Sequence, residues 1–235
     1  MPDLDGKIVA IAGAAGGLGP TVAARLAAAG ATIAATDVDQ GRLDALRSAL
    51  DLPDERFDGR VVDLLSEDAA RQWADALAER FGGVDALLHL VGGWKGGESL
   101  ATAPLADYEW LHDLLVRTLQ HATRAFHDHL AHEGGRFVLV SSSQAQKPEE
   151  TNAAYAATKA AAETWTLALA DSLIEAGATA NIVVVNAILT PRMREQSPDK
   201  PFKTFTSAED IAEAIAYLCS DAAAKMNGAR FALHP

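Results

Sequence analysis

The stretch from Ile8 to Ala29 constrains this chain more than any other. Ile8, Val9, Ala10, Ile11 and Ala12 form a short apolar run of the kind a buried parallel strand shows. Gly13, Ala14, Ala15, Gly16, Gly17, Leu18 and Gly19 follow without a break. Val22, Arg25, Leu26 and Ala29 then recur at helical spacing, with Pro20 where a first turn tolerates it and Gly30 at the stop. The pattern predicts a strand, a small-residue turn and a helix. Free backbone N–H groups and the positive end of the helix dipole converge at such a turn, and a pyrophosphate can approach the main chain there. A plain tight connection has the same composition, so context decides. After Gly30, Ala31 to Thr36 reads as a second strand ending at Asp37. A carboxylate there is placed to accept hydrogen bonds from an adenine ribose diol and to repel a 2′-phosphate.

The chain has 235 residues, of which 49% are hydrophobic, enough for one sizeable core. No internal repeat and no Pro/Gly/Ser linker divides it, so residues 1–235 are expected to form a single domain. The net charge of −12 argues against nucleic-acid or anionic-membrane binding through a basic surface. Met1 to Asp5 lack the basic start and apolar core of a signal peptide, and no apolar run is long enough to span a bilayer, so a cytoplasmic location is expected. The single Cys219 shares a helical face with Ile211, Ile215 and Leu218 and reads as a buried structural thiol.

Strands and helices alternate along the rest of the chain, which argues for a parallel sheet covered on both faces. Gln40 to Leu50 reads as a helix, Arg60 to Val62 as a short strand stopping at Asp63 and Leu64, and Ser66 to Phe81 as a capped helix terminated by Gly82 and Gly83. Ala86 to Val91 is the next strand, running into Gly92, Gly93, Trp94, Lys95, Gly96 and Gly97. That loop leaves the carboxyl end of a strand, so Trp94 is a candidate pocket residue, with a plain flexible loop as the alternative. Asp107 to Ala131 reads as one long helix. Its His112, His121, His127 and His129, with His132 just beyond, lack the spacing and companion ligands of a metal site and are expected to be solvated. Arg136 to Val140 is a strand followed by Ser141, Ser142 and Ser143, and Ala153 to Ala176 an alanine-rich helix. Ile182 to Val185 is a strand, the segment holding Pro191, Pro198 and Pro201 is polar, Ser207 and Asp210 cap a helix over Ile211 to Ser220, and Arg230 to Leu233 is a last strand.

Tyr155 and Lys159, four residues apart, share one helix face near the carboxyl end of the strand that carries Ser142. A nearby ammonium stabilises phenolate, so Lys159 is expected to lower the Tyr155 pKa toward the working range of a general acid or base. Such a pair alone is most often a solvated one. A serine 13 positions earlier and a dinucleotide turn at the amino end change that reading.

Over nearly its whole length the chain resembles the short-chain dehydrogenase/reductase family. The family's Thr-Gly-x-x-x-Gly-x-Gly turn matches Ala12 to Gly19 with alanine in place of threonine, its adenine-contacting Asp matches Asp63, and its catalytic serine, tyrosine and lysine match Ser142, Tyr155 and Lys159. The resemblance implies a single α/β Rossmann-type doubly wound three-layer domain with a parallel seven-stranded sheet in the order 3-2-1-4-5-6-7. It implies hydride transfer between a nicotinamide and a carbonyl or alcohol, with Ser142 on the substrate oxygen, Tyr155 exchanging its proton and Lys159 also holding the nicotinamide ribose. Cofactor contacts would fall at Gly13, Ala15, Gly16, Gly17, Leu18, Gly19, Asp37, Val38, Asp63, Leu64, Val91, Gly92, Tyr155, Lys159, Ile188 and Thr190, and substrate contacts at Gly93, Trp94, Ser142 and Gln144. Asp37 favours NAD(H) over NADP(H), and no metal is expected. The family's pairing of long helices implies a homodimer or homotetramer.

Three departures stand out. His89, Leu90, Val91 and Gly92 replace the family's Asn-Asn-Ala-Gly, and Leu115 falls at the position of its catalytic asparagine, so Leu115→Asn is expected to be neutral or activating. The Pro-Gly that usually follows the sixth strand is missing around Asn186 to Pro191. The glycine-rich loop and the compact 197–205 segment look most like the shorter, dihydropteridine-reductase-like branch, without implying a pteridine substrate. A dinucleotide-binding protein with weak or no turnover is therefore the alternative to an NAD-dependent enzyme.

Overall fold

The computed structural model describes residues 2–234. Its strands are β1 (Ile8–Ala12), β2 (Thr32–Asp37), β3 (Phe57–Val61), β4 (Ala86–His89), β5 (Arg136–Ser142), β6 (Thr179–Val185), β7 (Ala187–Leu189), β8 (Phe205–Ser207) and β9 (Arg230–Ala232). The helices are α1 (Gly19–Ala28), α2 (Gln40–Leu50), α3 (Glu67–Phe81), α4 (Leu105–His112), α5 (Thr118–Leu130), α6 (Ala153–Ser172), α7 (Pro191–Gln196) and α8 (Ala208–Cys219). Seven strands form one sheet in the order β3-β2-β1-β4-β5-β6-β9, parallel throughout. This is the expected order; the seventh strand is β9 only because β7 and β8 intervene as a separate two-stranded ribbon.

Apolar side chains cover the sheet on both faces. Ile11, Ile33, Val22, Leu26, Leu43, Ile211 and Ile215 fill one side, under α1, α2 and α8. Trp73, Leu77, Leu119, Phe126, Phe137 and Leu173 fill the other, under α3, α5 and α6. Strands enclosed in this way need apolar residues at consecutive positions, which is why β1 and β6 read as runs rather than alternations. Cys219 is buried in the first layer, where burial pushes its thiol up to about 12 against the pull of Arg136.

Local chemistry sets the element ends. Asp39 and Ser66 cap α2 and α3 by accepting from the backbone N–H groups of Arg42 and Ala69, Gly82 closes α3 at φ 81°, and Ser207 caps α8 through Asp210 N–H. Several expected boundaries move. β3 starts at Phe57 because polar Asp58 is buried in it, bonded to Arg60 and Arg80 at 2.7 and 2.5 Å. β4 stops at His89, so Leu90 and Val91 belong to the loop. The expected long helix is α4 and α5 joined by one π turn, Asp113–Arg117, which buries Leu115 and Val116. The segment after β6 is ordered rather than irregular: β7 pairs with β8, and Thr190 caps α7. The histidines are not simply solvated. His121 Nδ1 lies 2.9 Å from Leu64 O, His127 Nε2 3.2 Å from Ser172 Oγ and His132 Nε2 3.2 Å from Val84 O, tying the α5 region to its neighbours. Among the described residues no three His, Cys, Asp or Glu side chains gather as a metal site, and no helix is long and apolar enough to cross a membrane.

Candidate active site

The carboxyl ends of the central strands open into one cleft of about 940 Å³, near the top of the size range for small-molecule sites. The glycine turn, Asp37 and Asp63 stand at one end, and Ser142, Tyr155 and Lys159 at the other.

The turn is built to let a ligand touch the backbone. Gly13 and Ala14 N–H groups donate to Thr36 O, fixing the turn to the end of β2, and Gly13 has φ 76°. A Cβ on Gly13 would come within 2.9 Å of Val91 N, so only glycine allows the turn to lie against the loop after β4. No side chain caps the start of α1, where Leu18 is the N-cap residue; the first amides of this helix are left to a ligand or to water. These features fit a dinucleotide pyrophosphate.

At the outer end Asp37 Oδ1 accepts from Val38 N–H at 2.9 Å, and Asp63 Oδ1 from Leu65 N–H at 2.9 Å. Both carboxylates keep acceptor capacity for a ribose or an adenine.

At the inner end α6 delivers Tyr155 and Lys159 beneath the end of β5, which carries Ser142. Lys159 is 6% exposed, and its Nζ donates to Val140 O at 3.0 Å. Burial drives the ammonium pKa down to about 8, with Glu163 opposing. The Lys159 Nζ lies 6.0 Å from the centre of the Tyr155 ring. Tyr155 departs from expectation: burial raises its pKa, and the hydrogen bond with Ser142 pulls the other way. Desolvation is the larger of the two, so the phenol is held in its protonated form. His89, 1% exposed at the end of β4, is pushed down to about 3 by burial and by the Lys159 charge, so its imidazole is neutral. Its Nε2 lies 3.3 Å from Thr118 Oγ1.

Most expected site positions line this cleft: Gly13, Gly16, Gly17, Leu18, Asp37, Val38, Asp63, Leu64, Val91, Gly92, Gly93, Trp94, Ser142, Gln144, Tyr155, Lys159, Ile188 and Thr190. Ala15 and Gly19 do not. Ala15 packs against the core, and a Cβ on Gly19 would sit 2.1 Å from Ala14 O, so this glycine serves the turn's own packing. Leu115 is also off the cleft, turned into the core by the π turn at 2% exposure, while Leu114 and Thr118 face the cleft. Sequence reasoning missed Trp110, Asp113 and Asn186 as lining residues. Trp110 and Leu114, four apart on the helix, were the available signal. The missing Pro-Gly leaves no gap: Asn186 Nδ2 donates to Thr204 O at 3.1 Å, and the β7–β8 ribbon carries Ile188 into the cleft wall.

A family model described as Enoyl-(Acyl carrier protein) reductase matches residues 13–233. The chain is 30% identical to the 7alpha-hydroxysteroid dehydrogenase of Escherichia coli (strain K12) over 239 residues, covering 96% of this chain and 91% of that protein. Among solved structures it is similar to a short-chain dehydrogenase/reductase, SDR:Glucose/ribitol dehydrogenase, from Brucella melitensis, at 29% identity and TM-score 0.85, covering 99% and 97% of the two chains. It is also similar to a short chain dehydrogenase from Burkholderia cenocepacia J2315 in complex with NADP, at 30% identity and TM-score 0.84, covering 97% and 96%.

Proposed function

The chain belongs to the short-chain dehydrogenase/reductase family and is a nicotinamide-dinucleotide-dependent oxidoreductase, and we propose that it reduces the carbonyl of an uncharged small molecule, or oxidises the matching alcohol. One observation carries this reading: Ser142, Tyr155 and Lys159 meet at one end of a cleft whose other end is the uncapped α1 start and Asp37. The nicotinamide supplies or accepts hydride. Ser142 holds the substrate oxygen, and Tyr155, kept protonated by burial, gives that oxygen its proton. Lys159 brings a positive charge to the ribose and to the phenolate left behind. Gly13, Gly16, Gly17 and Leu18 would hold the pyrophosphate, Asp37 and Val38 the adenosine ribose, Asp63 and Leu64 the adenine, and Val91, Gly92, Ile188 and Thr190 would receive the nicotinamide. The position of Leu115 supports an enzyme over a silent binder, because this departure from the family's pattern lies off the cleft and does not obstruct it.

Trp94, Trp110, Leu114 and Gln144 surround the space left for substrate; beside them Asp113 is paired with Arg117 at 3.0 Å, and Lys95, over the Trp110 ring, with Asp107 at 2.6 Å. Apolar walls whose charged neighbours are already paired favour a neutral, largely apolar carbonyl compound over an anion. Asp37 favours NAD(H) over NADP(H) by repelling a 2′-phosphate, although the Burkholderia relative was solved with NADP; the nearby Arg42 is engaged by Asp39 at 3.6 Å. The 235 residues act as one cytoplasmic domain that assembles into a homodimer or homotetramer through α5 and α6.

The reading is tested by NADH oxidation, followed by absorbance, with a panel of neutral ketones, diketones and quinonoid compounds. Saturable turnover on a neutral carbonyl supports it; turnover confined to carboxylated substrates contradicts the substrate assignment. For the cofactor, NADH should bind at least about tenfold tighter than NADPH, and Asp37→Ala should narrow that gap. Equal or tighter NADPH binding by the unmodified protein overturns the role of Asp37.

A further inference from the structure

Glu163 lies one turn beyond Lys159 on α6 and is 2% exposed. Every side chain bonded to its carboxylate is a donor. Ser141 Oγ from β5 donates to Oε1 at 2.7 Å, Gln146 Nε2 to Oε2 at 3.1 Å, and Arg230 Nε from β9 to Oε2 at 2.7 Å. A carboxyl group that only accepts is ionised. Burying such a charge is costly unless cations offset it, and two do so here: the half-exposed Arg230 guanidinium and the buried Lys159 ammonium four residues earlier.

The groups facing Lys159 are few. Tyr155 and Glu163 belong to its own helix, β4 offers the neutral His89, β5 offers Val140 O and Ser142, and the π turn brings Asp113 to the wall of the same cleft. Among the described residues no carboxylate lies within ion-pair distance of Lys159, whose Nζ donates to Val140 O. Glu163 therefore acts on the ammonium through a low-dielectric interior rather than by contact.

We propose that Glu163 is a positioning residue that holds Lys159 in its charged form, and that Arg230, reaching the same carboxylate from the last strand of the sheet, limits that hold. This rests on the assignment of Lys159 to the cofactor and proton chemistry. The direction of the Lys159 pKa agrees, because Glu163 is what opposes its fall on burial. The two partners of the bridge have opposite effects. Removing the anion lets Lys159 lose its proton at lower pH, whereas removing the competing cation lets it keep the proton to higher pH. A merely structural bridge would weaken the fold in both variants and leave the titration in place.

The test titrates NADH binding by fluorescence from pH 6 to 10, alongside the pH profile of kcat, for the unmodified protein, Glu163→Gln, Arg230→Gln and Lys159→Ala. The midpoint of the affinity loss should move to lower pH in Glu163→Gln and to higher pH in Arg230→Gln, each by about half a pH unit or more. Unmoved midpoints, or shifts in the same direction, overturn the proposal. Arg230 is on a short strand at the sheet edge, so Arg230→Gln decides the matter alone if Glu163→Gln does not fold. A Lys159→Ala protein with the unmodified pH dependence overturns the assignment of Lys159 itself, whereas a flat Lys159→Ala profile with unmoved midpoints in the other two overturns only the Glu163 proposal.

Discussion

At Lys159 two effects compete, and their balance sets the pH range of the enzyme. Burial lowers the ammonium pKa to about 8, and the Glu163 carboxylate opposes that fall. Tyr155 is shifted the other way, raised above the ordinary phenol value by burial, so its proton stays in place while Lys159 titrates. The sign follows: below pH 8 both groups carry their protons and reduction proceeds, and as pH rises through 8 the cation is lost first. Reductive kcat/KM should therefore be flat between about pH 6 and 7.5 and fall tenfold per pH unit well above 8. A profile that stays level to pH 10 would show that Lys159 is not the group lost. Spacing, the amino-terminal turn and the family resemblance together point to Ser142, Tyr155 and Lys159, but not to the direction of the Tyr155 shift. Residue spacing shows which charges are near and says nothing of how much water is excluded, and here desolvation outweighs the Ser142 hydrogen bond.

At the scale of elements, the π turn at Asp113–Arg117 does what no periodicity revealed. It adds a residue to one turn of the helix, so Leu114 and Thr118 face the cleft while Leu115 enters the core. Counted back from Arg124 and Ala125, Leu115 stands where the family has its asparagine. An asparagine there would be buried among apolar neighbours, so Leu115→Asn should destabilise the protein by about 2–4 kcal/mol and leave turnover per folded molecule unchanged. Thermal unfolding and active-site-normalised kinetics check this; an activated, equally stable variant would mean that position 115 reaches the cleft after all. Strands β1 and β2, the Ile182–Val185 part of β6 and the capped starts of α3 and α8 were readable because apolar runs and capping side chains are local signals. The start of β3 and the β7–β8 ribbon were not. The first buries Asp58 against arginines distant in sequence, and the second exists only because residues 187–189 meet residues 205–207.

For the whole molecule, the outer faces of α5 and α6 form a groove that includes Thr123, Arg124, His127, Trp165 and Leu169. That partly apolar surface is the expected meeting place of two copies, and light scattering at micromolar concentration should report at least twice 24.7 kDa. A 24.7 kDa particle would contradict the assembly. The parallel sheet explains why the distant segments 13–19, 37–38, 63–64, 91–94, 142–159 and 186–190 meet at one edge: each follows a strand whose carboxyl end points the same way. The central claim is that this edge is a single site, with nucleotide recognition at one end and proton transfer from Tyr155 at the other. Replacing Tyr155 by phenylalanine keeps the ring and removes the transferable proton, so the most direct measurement compares NADH affinity and carbonyl turnover in Tyr155→Phe and the unmodified protein. The account predicts NADH affinity within about threefold and turnover lowered by at least about a thousandfold; unaltered turnover in Tyr155→Phe would contradict it.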